Sequence, residues 1–382
     1  GLKNSQKRID SMKFKCGKLQ LANSLTSVQK AVAQRSTIAA LEGVLITCKE
    51  GTIKLCGYNT EMGITTSLQA STEKEGQIVI NGHLLTEIIK KLPSDTVEIE
   101  VNENLLVKIS GGQSHFELIG IDAKEFPTLP EISGKESLKI PINTLRSMIK
   151  QTIFAVADTD SKPVHTGTLF DVKNKTLTLV SVDGYRLAIR KEPIDSDLEF
   201  KFVVPGKTLK EVLRLLPQSA EDSETIEIST GMRHIAFYIG EYTIISRLLE
   251  GEFLDYKAAV PQTASSKIKI STIDLVDSIE RVSLLITDRL KSPVRCTFSK
   301  NSTHLSCTTL VGKSSDEIAC TSDISEDIET AFNNKYMLDA LKNTDCDEIE
   351  IQVSGPLSPI KIVPQQGNSF LFLVLPVRVK SE

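Results

Sequence analysis

No catalytic signature runs through these 382 residues. The chain has no G-x-x-x-x-G-K-[ST] loop to cradle a nucleotide phosphate and no G-x-G-x-x-G turn. It also lacks an H-E-x-x-H metal pair and a G-x-S-x-G nucleophile elbow. Over so long a chain this silence points to binding, and the sequence is read as a non-enzyme with no catalytic residue, metal or cofactor. The five histidines (His83, His115, His165, His234, His304) stand at no metal-ligand spacing from one another, as expected of ordinary surface or core residues. The seven cysteines are odd in number and include no Cys-x-x-Cys, which argues against a disulfide framework and a zinc site and fits a reduced, cytoplasmic protein. The longest strongly apolar run, Phe370 to Val377, falls far short of the roughly 20 residues that span a bilayer, and it reads as a strand. Residues 1–11 (GLKNSQKRIDS) are polar and basic without an apolar stretch, so they are not a secretory signal but a leader of uncertain origin with no assigned role. Asp158-Thr159-Asp160 begins like a calcium loop, yet Pro163 follows and the required Gly and later Glu are missing, so it reads as a turn. That Asp pair is all that supports an unrecognised enzyme.

What is present is an internal repeat. A helical stripe of Leu21, Leu25, Val28 and Val32 returns as Leu145, Ile149, Thr152 and Val156, and again as Leu275, Ile279, Val282 and Ile286. A second helix follows each first one, over His83–Pro93, Lys207–Pro217 and Tyr336–Lys342. Leu21 to Leu145 and Leu85 to Leu209 are both steps of 124 residues, while Leu145 to Leu275 is 130 and Leu209 to Met337 is 128. Each third of the chain is therefore a doubled unit, and six helices are expected. Between the helices the sequence alternates with the two-residue period of half-buried strands, with polar turns at Lys49-Glu50-Gly51, Lys173-Asn174-Lys175 and Lys300-Asn301-Ser302. Such strands imply antiparallel sheets with the helices packed on one face, an α+β class. The segments Phe126-Pro127-Thr128-Leu129-Pro130 and Phe253-Leu254-Asp255-Tyr256 mark repeat-equivalent junctions, giving expected domains at 12–131, 137–262 and 267–380.

The net charge of −4 argues at first against a nucleic-acid binder. Its distribution argues the other way. The helical segments carry +3 (18–35), +1 (82–92), +2 (143–151), +2 (206–216), −1 (273–291) and +1 (333–343), which leaves −12 on the rest of the chain. A basic surface on an acidic protein concentrates a polyanion at that surface, and flexible Lys and Arg hold phosphates without reading sequence. The candidates in these segments are Lys30, Arg35, Lys90 and Lys91, then Arg146 and Lys150, then Lys207, Lys210 and Arg214. The bland alternative is a repeat scaffold that binds peptide partners and never touches DNA.

Four further segments carry a resemblance: Asp183-Gly184-Tyr185-Arg186-Leu187, Glu250-Gly251-Glu252-Phe253-Leu254-Asp255-Tyr256, Phe126-Pro127-Thr128-Leu129-Pro130 and Leu375-Pro376-Val377-Arg378. In this order, on a threefold repeat, the sequence from Met12 to Val379 resembles the beta subunit of bacterial DNA polymerase III, the sliding clamp. The resemblance implies three clamp-type domains with antiparallel sheets outside and two helices each lining a central hole. It implies a ring closed as a head-to-tail homodimer around duplex DNA, tethering the polymerase and other partners for processivity. By that similarity Phe116 and Leu118 would face Leu285 and Ile286 across the dimer contact. Arg35 and the loop Thr159–Lys162 would touch DNA. A groove for short apolar segments of polymerase and ATP-driven loader subunits would be walled by His165, Val182, Gly184, Tyr185, Arg186 and Leu187. Leu254 and the C-terminal Leu373, Leu375, Pro376, Val377 and Arg378 would complete it. Leu254 replaces the family's proline, His165 stands where an apolar residue is common, and Ala258 and Ala259 are small, so a wider groove is expected.

Overall fold

The computed structural model describes residues 11–132, 136–159, 162–263 and 266–379. Residues 1–10 of the leader, Asp160 of the Asp pair and the last residue of the third expected domain, Lys380, lie outside the described residues.

All six expected helices are present: α1 (Lys18–Val28), α2 (Gly82–Lys91), α3 (Ile142–Ile153), α4 (Gly206–Leu215), then a single turn α5 (Tyr256–Ala259), then α6 (Thr272–Val282) and α7 (Asn334–Lys342). The first helix of each repeat is one turn shorter than its apolar stripe. Val32, Val156 and Ile286 each leave the α-helix and donate their N–H three residues back, to the carbonyls of Gln29 (3.0 Å), Ile153 (3.3 Å) and Ser283 (2.9 Å). In the first two repeats the chain tightens where the start of the second helix crowds it. A Cβ added at Gly82, which opens α2, would sit 3.3 Å from Val32, and one at Gly206, which opens α4, would sit 3.2 Å from Val156. Thr152, the polar residue of the middle stripe, is fully buried and satisfies its hydroxyl on the Met148 carbonyl at 2.9 Å.

The described residues pack as two compact units, one from those up to Pro141 together with Arg214–Leu248, the other from Ile142–Leu213 together with those from Leu249 onward. Each unit builds sheets that run across repeat boundaries. In the first, an eight-stranded antiparallel sheet pairs Tyr242–Arg247 of the second repeat with Met62–Gln69 of the first, Ile244 opposite Ile64. In the second, a nine-stranded sheet pairs Arg186–Pro193 of the second repeat with Phe370–Val374 of the third, Leu187 opposite Leu373. A five-stranded sheet in the first unit and a four-stranded sheet in the second complete the frame. Two of the three expected hairpins turn through left-handed residues, Glu50 and Gly51 at φ 51° and 73° and Asn174 and Lys175 at 52° and 54°, the geometry that matches strand twist.

Helix α1 packs on α2, and α6 on α7. The junction aromatics are buried or half-buried, Phe126 with Tyr58 and Leu129 in the first unit and Phe253 with Val164 and Tyr256 in the second.

Candidate partner groove and basic helix faces

Three antiparallel strands of the second unit, Thr176–Val182, Arg186–Pro193 and Phe370–Val374, bring together Val182, Leu187 and Leu373 of the expected groove. Val182 stands opposite Leu187, and Leu187 opposite Leu373, so the three form one row on one sheet face. The neighbouring row places Val180 opposite Ile189 and Ile189 opposite Leu371. On the other side the Leu375 N–H donates to the Tyr185 carbonyl at 2.9 Å, which carries the strand pairing into the C-terminal tail, and Val377 donates to Ala331 at 2.8 Å. Val182, Leu187 and Leu373 are buried and form the floor, together with Val164 and Tyr256. Above them Tyr185 (61% exposed), Leu375 (42%) and Leu254 (39%) stand open, and Val377 is similarly exposed. His165 is buried with its ring edge-on to Phe253 at 5.2 Å, closing the wall in place of an aliphatic side chain. Tyr256 is anchored from below, its hydroxyl donating to the buried Asp171 Oδ2 at 2.8 Å. Burial, and then the Asp171 carboxylate, push the Tyr256 phenol well above its ordinary pKa.

Arg186 spends its guanidinium on contacts within the protein. Its Nε donates to Asp183 Oδ2 at 2.9 Å, its Nη1 donates to Asp339 Oδ2 of α7 at 2.7 Å, and its guanidinium lies 4.6 Å from the Tyr336 ring. Asp183 Oδ1 also accepts from the Tyr185 and Arg186 N–H groups at 2.9 and 3.0 Å, the side-chain turn that an Asp-Gly dipeptide favours, with Gly184 at φ 90°. Tyr185 stacks on Tyr336 with ring centroids 5.8 Å apart. Arg186 and Tyr336 thus hold the exposed Tyr185 in place.

Of the basic candidates, Lys30, Arg35, Lys90, Lys91 and Arg214 in the first unit and Lys150, Lys162, Lys207 and Lys210 in the second are exposed. Arg146 is half-buried and donates to Asn143 Oδ1. Arg35 is four residues past the 3₁₀ turn that ends the first helix, so it rides on a loop. Lys90, Lys91, Lys150 and Arg214 occupy last turns, where the helix dipole favours a cation. Phe116 and Leu118 lie on Ser114–Ile119, the outer strand of the five-stranded sheet, and Ile119 beside them is 86% exposed. In the third repeat Gly312–Ala319 is the outer strand of the four-stranded sheet. Leu285 and Ile286 are half-buried, Ile286 packing on the core, and it is Leu284 that stands open at 79%. Among the described residues no cluster of His, Cys, Asp or Glu could hold a metal ion, and no helix is long and apolar enough to cross a membrane.

The profiles of three domains match the chain in succession between residues 12 and 378. They are the N-terminal domain of the DNA polymerase III beta subunit over residues 12–130, its central domain over 139–255 and its C-terminal domain over 257–378. The chain belongs to the DNA polymerase III beta subunit family. It is 31% identical to the beta sliding clamp of Staphylococcus epidermidis over 377 residues, covering 96% of this chain and 99% of that one. The crystal structure of the Bacillus subtilis sliding clamp superposes with a TM-score of 0.92 at 31% identity, covering 97% of this chain and all of that one. A Bartonella birtlesii sliding clamp described as bound to griselimycin superposes with a TM-score of 0.91 at 27% identity, covering 97% of this chain and 100% of that one. The function is that of a DNA sliding clamp in replication, a family of non-catalytic processivity factors built from three clamp domains. The scaffold reading without DNA finds no support among these relatives.

Sequence reasoning missed the residues that support the candidate groove. Asp183, Tyr336 and Asp339 hold Tyr185 and Arg186, and Val164, Phe253 and Tyr256 pack in the same cluster as Val182, Leu187 and Leu373. Asp183 and Tyr256 stand inside the motifs that carried the resemblance. Asp339 had no such signal, because its partner is 153 residues away in sequence.

Proposed function

We propose that two copies of this chain close head to tail around duplex DNA. The Ser114–Ile119 edge of one copy, with Phe116 and Leu118, meets the Gly312–Ala319 edge of the other beside Leu285 and Ile286. The observation that carries the reading is this pair of unlike outer strands, each hydrogen-bonded on one side only and each in a different unit. Unlike ends make a heterologous contact, which closes into a ring when the rotation is right. The domain limits are proposed at 12–131, 137–262 and 267–380. The exposed lysines and arginines of the helical segments face the duplex and hold phosphates loosely. Topology, more than affinity, keeps the clamp in place, and a polymerase in the groove stays at high effective concentration near the primer end. The groove takes short apolar segments of polymerase and loader subunits, Tyr185, Leu254 and Leu375 gripping above the Val182–Leu187–Leu373 floor. Loading falls to a separate ATP-driven partner, and five of the seven free cysteines being buried suits a reducing cytoplasm.

The test uses a loader and ATP. The protein should stay on nicked circular plasmid through gel filtration in moderate salt and leave once the plasmid is cut. Equal retention on both forms would overturn the ring. Phe116→Asp should yield a monomer by light scattering and abolish retention. A Phe116→Asp protein that remains a dimer would remove that edge from the interface.

A further inference from the structure

The sheet face that floors the groove does not end with it. One row of cross-strand neighbours runs from Val182 through Leu187 and Leu373 to Lys361, Gln352 and Lys267. Because side chains alternate between faces with a period of two, the same face passes from aliphatic to cationic within a few strands. At that end a cavity of about 660 Å³ opens, floored by Ile189, Leu371 and Val363 and flanked by Tyr256 and Val260. Four lysines surround it, Lys191, Lys257, Lys267 and Lys361, against the single carboxylate of Glu350. Glu350 Oε2 already accepts from Gln352 Nε2 at 2.6 Å. Among the described residues none of the four lysines makes an ion pair. Lys361 donates instead to the Pro261 carbonyl at 3.3 Å, and burial holds its ammonium below the ordinary lysine pKa. On a chain of net charge −4, four lysines without an ion pair around one hollow make a local positive potential that the rest of the surface opposes.

We propose that this cavity receives acidic residues flanking the apolar segment of a partner peptide, so that groove and cavity form one continuous docking surface. The proposal rests on the reading of the groove as a peptide site. Two observations select the occupant. The cavity continues the groove's own row of side chains, and its charge is complementary to carboxylates. The distance suits a peptide extension, since three strand steps from Leu373 to Lys267 cover about 14 Å, the reach of roughly four to five extended residues. Apolar anchoring and charge steering then divide the work, affinity coming from the groove and selection among partners from the lysines.

The experiment uses the full chain and a fluorescein-labelled pentapeptide carrying two leucines and a terminal phenylalanine. The same peptide is also made with four aspartates added at either end. Anisotropy titrations at low and high salt give the affinities. At low salt one extended peptide should bind about fivefold tighter than the core peptide, with the gain lost at high salt. The gain should vanish in the double variant Lys191→Glu, Lys267→Glu, which should still bind the core peptide normally. It should survive in Lys54→Glu, a charge reversal on an exposed strand position of the first unit. A core peptide that binds with no gain from either extension overturns the inference and leaves the groove intact. Loss of the gain in Lys54→Glu, as complete as in the double variant, overturns it in the same way. A core peptide that fails to bind at all overturns the groove and the extension together.

Discussion

A single guanidinium ties the Asp183 turn to helix α7. Arg186 joins Asp183 on its own turn to Asp339 on α7, with only 9% of its side chain exposed. Removing it strands two carboxylates beside an aromatic ring. Arg186→Ala should therefore cost about 3 kcal/mol in urea denaturation and loosen Tyr185, whereas Arg186→Lys, a point charge that cannot fork, should recover only part of that. A loss below about 1 kcal/mol would show that solvent replaces both ion pairs. His234 gives a second residue-scale expectation. It stands opposite Arg247, and burial, followed by the Arg247 and Arg233 charges, lowers its pKa from the usual histidine value. The unfolded chain then binds a proton that the folded chain refuses, so stability falls as pH drops from the unfolded histidine pKa, near about 6.5, towards the lower folded value. His234→Asn should flatten the urea midpoint between about pH 7 and about pH 5. An unchanged slope would place the acid sensitivity elsewhere. Individual roles such as these were the least legible part of the sequence. Tyr185 and Leu375 could be named because they stand in short motifs, and Asp339 could not because its partner is distant in the chain.

Helices and strands were far more legible. The apolar stripes located every first helix, and they overran each one by a turn. Val32, Val156 and Ile286 are apolar because they pack in 3₁₀ and extended geometry beyond the α-helix, and periodicity alone does not separate the two cases. The second helices differ in how they start. Asn81 and Asn333 accept the Leu84 and Tyr336 N–H groups at 3.0 and 3.2 Å, while the middle copy has Pro205 at that place. Asn81→Ala and Asn333→Ala should each cost about 1 kcal/mol in thermal or chemical unfolding. If both variants unfold at the parent midpoint, water serves those helix ends as well as the amide does. The electrostatic reading needed the fold as well. Composition alone could count charges on a segment, but only the described structure separates the exposed Lys150 from the half-buried, hydrogen-bonded Arg146 four residues earlier.

At the scale of the whole molecule the threefold repeat and the family were plain from the sequence, and the packing units were not. Sequence spacing puts boundaries near residues 131 and 262. The strand ladders ignore them, because Ile244 pairs with Ile64 and Leu187 with Leu373 across those very boundaries. A chain produced as two pieces, one ending at Ile132 and one beginning at Glu136, should copurify and resist dissociation until the sheets unfold. Pieces that separate on an ordinary sizing column would show that the ladder between Met62–Gln69 and Tyr242–Arg247 is weak. The same ladders bear on how such a molecule could have arisen and how it can be edited. The stretch that looks duplicated is not a stretch that stands alone, since excising any one copy leaves raw strand edges on what remains. Shuffling a single repeat between relatives should therefore fail where exchanging a strand together with its cross-boundary mate succeeds. Inheritance here is counted in thirds of the chain, whereas cohesion is counted in sheets.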